Sequence, residues 1–68
     1  MEKQELQELS SAFDAVFDAE GQIKNCGRAV CMHLISLMKR HSSEDVGDEK
    51  TGMINIETMK SEYLKLRG

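Results

Sequence analysis

The sequence predicts an all-α fold: a small three-helix domain, a helical hairpin followed by a C-terminal helix, packing as a homodimeric helical bundle. Three observations lead there. Apolar residues recur at spacings of three and four in three separate stretches, the period of one face of a helix. The chain has no proline to interrupt them. The first two stripes also share a heptad phase, the pattern by which helices pack side by side.

The first helix is expected at residues 3–19. Its stripe is Leu6, Leu9, Phe13, Val16 and Phe17, within about 100° of a helical wheel. Glu5, Glu8, Asp14 and Asp18 flank it. The second helix is expected at residues 24–41. Ile23, Cys26, Gly27, Val30, Cys31, Leu34, Leu37 and Met38 cover about 140° of its surface, with Met32 the one misfit. Residues 42–52 read as a loop of Ser, Asp and Glu punctuated by Gly47 and Gly52. The third helix is expected at residues 55–67. Asn55 suits an N-cap, Ile56, Met59, Tyr63 and Leu66 form the stripe, and Lys65 and Arg67 complement the dipole in the last turn.

In sevens, Leu9, Val16, Ile23, Val30 and Leu37 form one wholly apolar column. Leu6, Phe13, Glu20, Gly27, Leu34 and His41 form the other. A single helix over residues 4–41 would satisfy this register. Glu20 and two glycines argue instead for a break near Gly21, since a glycine inside a helix costs about 1 kcal/mol.

Residues 1–68 form one domain, and a domain this short buries only roughly 60% of its unfolded-chain surface. Disulfides, metals or self-association usually make up the deficit. Cys26 and Cys31 are five residues apart on one helix, which puts their Cα atoms about 7 Å or more apart, too far to bridge. Cys26, His33 and His41 lie on roughly one side of that helix, but a seven-residue step rises about 10.5 Å, so one ion cannot reach them. No metal and no cofactor is expected. That leaves self-association, with Met32, Met38, Met53 and Met59 as candidates for an adaptable contact surface.

Charge is segregated. Residues 1–22 carry a balance of −5, residues 23–41 carry +4, and the whole chain carries −3. An acidic helix followed by a basic one suits antiparallel packing, within the chain or between copies. The acidic total disfavours nucleic acid as a partner. The loop between the second and third helices is also too long for a helix-turn-helix. There is no signal peptide and no apolar run of membrane-spanning length, so the expected location is cytoplasmic with no membrane partner.

Enzymatic function is not expected. The chain has no Ser-His-carboxylate set, no glycine-rich phosphate loop and no HExxH, and its size leaves little room to enclose a pocket.

Two stretches resemble calcium loops of the EF-hand family: Asp48-Glu49-Lys50-Thr51-Gly52-Met53-Ile54-Asn55-Ile56-Glu57 and Ala12-Phe13-Asp14-Ala15-Val16-Phe17-Asp18-Ala19-Glu20-Gly21. The resemblance implies paired helix-loop-helix units that bind calcium and clamp target helices. The sequence departs from that pattern on counting. Alignment on Gly52 puts Thr58 where the bidentate Glu belongs and Gly47 at the first ligand position. The first stretch lacks residues between Gly21 and Ile23, and no helix fits between Met38 and Gly47. What remains of the resemblance is a degenerate EF-hand-like single lobe.

The function expected is a small, acidic protein-interaction or regulatory module that acts through an amphipathic helix surface and self-associates. Its interface is expected on Leu6, Leu9, Phe13, Val16, Ile23, Val30, Leu34 and Leu37. Its partners would be a second copy and another protein. The alternatives are a small nucleic-acid-binding regulator, carried by Lys24, Arg28, Lys39, Arg40, Lys60, Lys65 and Arg67, and the degenerate lobe binding a target helix.

Overall fold

Each of the three apolar stripes forms a helix in the computed structural model, which describes residues 2–25 and 27–68. The elements are α1 (Lys3–Val16), α2 (Arg28–Lys39), β1 (Gly47–Asp48), β2 (Met53–Ile54) and α3 (Ile56–Arg67). The first two helices are shorter than their stripes suggest, while α3 keeps its expected bounds with Asn55 at the N-cap. The causes are local.

Helix α1 stops at Val16 because Phe17 turns extended and pairs with Ile23 in an isolated antiparallel bridge. Between them the chain reverses through Asp18–Gly21, with Gly21 at φ 78°, a conformation open chiefly to glycine. A continuous helix over residues 4–41 is thereby excluded. Helix α2 starts late for a complementary reason. The amides of Lys24 and Asn25 donate to the Val16 carbonyl, at 2.8 and 3.3 Å, and so satisfy an acceptor that the end of α1 leaves open.

The first two helices run antiparallel, as their charges suggest. At one end His41 Nε2 stands 3.4 Å from Glu5 Oε2. At the other, Val16 meets Lys24.

The fold is mostly helical rather than all-α. Within the stretch expected as a bare loop, β1 and β2 pair antiparallel, Gly47 opposite Ile54 and Asp48 opposite Met53. Strands of two residues are too short to show the alternation that marks a strand in sequence. The connecting turn closes with the Gly52 amide on the Asp48 carbonyl at 2.8 Å.

The core lies around α2. That helix contributes Cys31, Leu34, Ile35, Leu37 and Met38; α1 contributes Leu9, Ala12 and Val16; α3 contributes Met59 and Tyr63; the connections add Phe17 and Val46. Each large side chain among them stabilises the fold by about 1.5–3 kcal/mol through burial. The three aromatic residues of the chain form one stack, with Phe13 against Phe17 at 4.5 Å and against Tyr63 at 3.9 Å between ring centroids. No polar residue is buried among the described residues. No helix among them is long and apolar enough to cross a membrane.

Candidate functional site

An open groove of about 650 Å³ lies between the C-terminal half of α1, the turn that follows it, and α3. Aromatic stacking builds its floor. Phe13 and Tyr63 stack where α1 meets α3, and both line the groove together with Leu64. Leu64, in the last turn of α3, is 63% exposed. The walls carry Asp14, Asp18, Glu20 and Glu57 against Lys60 and Arg67, an excess of acid. The acids come from the negative N-terminal segment and the first turn of α3.

The turn at one end of the groove is held by hydrogen bonds from within the chain. Asp18 Oδ1 accepts the amides of Glu20 and Gln22 at 3.0 and 2.9 Å. The Gly21 carbonyl accepts the Lys60 ammonium at 3.2 Å. The second loop is similar: Asp48 Oδ1 accepts the Lys50 amide at 2.9 Å, and the Lys50 carbonyl accepts the Arg28 guanidinium at 2.8 Å. A calcium ion needs six to eight oxygens turned toward one point. In these loops Asp18 Oδ1, Asp48 Oδ1 and the Gly21 and Lys50 carbonyls serve amides and basic side chains, and β1 and β2 pair only with each other. The loops do not fit the ion. Nor do three His, Cys, Asp or Glu side chains converge as a possible metal site among the described residues.

No family model, known protein or solved structure matches this chain. Its functional reading therefore rests on its own geometry.

The expected interface residues divide. Leu9, Val16, Leu34 and Leu37 are buried in the core of the single chain, and Leu6, Phe13 and Val30 are half-buried. Ile23 alone among the eight is exposed. Their heptad column brings α1 and α2 together within one molecule. Phe13 is also the one that reaches the groove. Of the methionines considered for contact, Met38 and Met59 are fully buried, Met32 is half-buried, and Met53 is 70% exposed.

The cysteines and histidines are dispersed. Cys31 is buried with its thiol toward the Asn25 carbonyl, His33 is exposed and His41 faces Glu5. Cys26 lies outside the described residues. Of the basic residues considered for nucleic acid, Arg28, Lys60 and Lys65 are engaged within the chain, Lys65 on Glu62 at 2.9 Å.

Sequence reasoning missed three contributors to this core, the small Ala12 of α1 among them. Val46 is fully buried, and its signal was a lone apolar residue between Asp45 and Gly47 in an otherwise polar stretch. Ile35 is fully buried against the hairpin; a Cβ on Gly47 would come within 3.1 Å of its side chain. No apolar periodicity of α2 alone announces a second neighbour on that side.

Proposed function

We propose that the protein is a small interaction module that holds a basic amphipathic helix of a partner protein in the groove between α1 and α3. One observation carries the reading: an apolar floor capped by an exposed Leu64, walled by four carboxylates and two cations. A helix laid into a groove presents apolar anchors to the floor and charge to the walls. Here the matching charge is positive. The acidic walls also disfavour nucleic acid, whose phosphates they repel.

Self-association uses the same chemistry. With the shared stripe closed inside one chain, a second copy has to bring a different surface. Exposed His33 and Lys39 of α2 are the basic surface it offers, while Arg40, which caps that helix, lies beside Glu5 and Glu8 of α1.

The deciding measurement is fluorescence anisotropy of a labelled basic amphipathic peptide, beside its charge-reversed counterpart, titrated with the full chain and with Leu64→Asp. Selective binding of the basic peptide that the variant abolishes supports the proposal. Equal binding of both peptides, or binding that survives Leu64→Asp, overturns it. Light scattering on the same samples separates a second copy from a foreign helix as occupant.

A further inference from the structure

We infer that Lys60 and Arg28 form a reciprocal pair of braces, each doing for one loop what a bound cation would do. The two loops repeat one arrangement. Each contains a glycine in the left-handed region, Gly21 at φ 78° and Gly52 at φ 79°. Each glycine packs against the stem of a basic residue that reaches in from elsewhere in the chain. A Cβ on Gly21 would stand 3.6 Å from Lys60 Cδ, and one on Gly52 would stand 3.3 Å from Arg28 Cγ. In each case the head group ends on a loop carbonyl, Lys60 on Gly21 and Arg28 on Lys50.

The exchange is crossed. Arg28 opens α2, the helix that follows the first loop, yet it holds the second. Lys60 lies on α3, the helix that follows the second loop, yet it holds the first. Each helix thus ties down the turn that introduces the other.

The chemistry suits the places. A loop carbonyl facing a positive charge accepts a stronger hydrogen bond than one facing a neutral donor. Asp18 and Glu20 beside Gly21 add negative potential where the Lys60 ammonium sits. Arg28 donates one guanidinium N–H to the Lys50 carbonyl while its stem covers Gly52, a division between head and stem that suits a long basic side chain. Glycine is favoured at both positions by its φ, and at Gly52 also by closeness, since a Cβ there would stand 3.2 Å from the Arg28 carbonyl oxygen; beside Gly21 the Lys60 stem makes ordinary contact. The loops are therefore shaped by the chain's own cations, and their geometry does not depend on calcium. This bracing stands whether or not the groove holds a partner.

Amide hydrogen exchange on the full chain, followed residue by residue by NMR, tests it. In Lys60→Met the first-loop amides of Asp18 and Gly21 exchange faster by roughly tenfold, while Gly52 is unchanged. In Arg28→Met the Gly52 amide accelerates and the first loop is unchanged. Lys60→Arg, which keeps the charge, restores protection to the first loop. Calcium in excess over a chelator leaves both loops of the unsubstituted chain as they were. The inference is overturned if either Met variant loosens both loops alike or spares its own. Protection of either loop by calcium in the unsubstituted chain overturns it too, and that arm needs no variant to fold.

Discussion

The ring of Phe13 lies 3.9 Å from that of Tyr63, centroid to centroid, and within 8° of parallel. The Tyr63 hydroxyl extends the same contact by donating to Ser10 Oγ at 2.9 Å. Together they hold α3 to α1 at the base of the groove. Tyr63→Phe removes only the hydrogen bond and is expected to cost about 0.5–1.5 kcal/mol. Tyr63→Ala removes the ring and is expected to cost about 3–5 kcal/mol. Urea unfolding followed by far-ultraviolet circular dichroism measures both, and equal losses would mean that the ring stack contributes nothing.

Two leucines make a controlled pair. Leu34 is fully buried at the centre of α2, and Leu64 is exposed on α3. Leu34→Asp places an unpaired charge among apolar neighbours and is expected to abolish cooperative unfolding. Leu64→Asp is expected to change stability by no more than about 0.5 kcal/mol, since its side chain already meets water. A folded Leu34→Asp chain would refute the assignment of that stripe to the core.

Charge in the groove predicts a salt dependence. Replacing both Asp14 and Glu57 by Lys reverses the balance of the walls. Binding of a basic peptide is expected to weaken in that variant, chiefly through a slower association rate. In the unsubstituted chain, raising the salt concentration should mimic the effect, because charges at the rim of an open groove are screened. Stopped-flow association at two ionic strengths reads both, and salt-independent rates would contradict the electrostatic part of the proposal.

Glu62 predicts a response to acid. Ser42 donates to its Oε1 at 2.6 Å, and Lys65 meets its Oε2 at 2.9 Å. The Ser42 hydrogen bond first, and the Lys65 contact second, hold the carboxyl below its ordinary value of 4.5. A carboxylate whose folded pKa is depressed stabilises the fold fully above its ordinary pKa, and that contribution disappears as pH falls through the lowered value. The tie between α3 and the segment after α2 should thus persist at mildly acid pH and open only below the ordinary carboxylate range. Ser42→Ala is expected to raise the Glu62 midpoint, read by NMR titration of its side chain. An unmoved midpoint would show that the hydroxyl does not hold the carboxylate.

The mass in solution decides the remaining partner question. Among the described residues, twelve side chains are buried within one chain. Self-association through the basic side of α2 and the acidic groove should then be weak and sensitive to salt. A dimer mass by light scattering that persists at high salt would instead mean that an apolar surface is shared between copies.

Much of this architecture was legible in the sequence because it is local. The three stripes, the polarity of their flanks and the break at Gly21 depend on spacing along the chain, and helices arise from contacts three and four residues apart. Charge segregation likewise foretold the antiparallel pairing of the first two helices. Tertiary structure decided what spacing cannot express. Whether the Leu9–Leu37 column closes within one chain or between two depends on the reversal of the chain at Gly21. The burial of Val46 and Ile35 depends on a hairpin whose strands are too short to carry a pattern. The groove depends on Phe13 meeting Tyr63 from fifty positions away. The braces are the clearest case: in the sequence Lys60 and Arg28 read only as candidates for contacting nucleic acid, and the fold brings each to a distant loop. A basic side chain that reaches a distant carbonyl leaves no periodicity behind it, because its partner is chosen by the path of the chain in space.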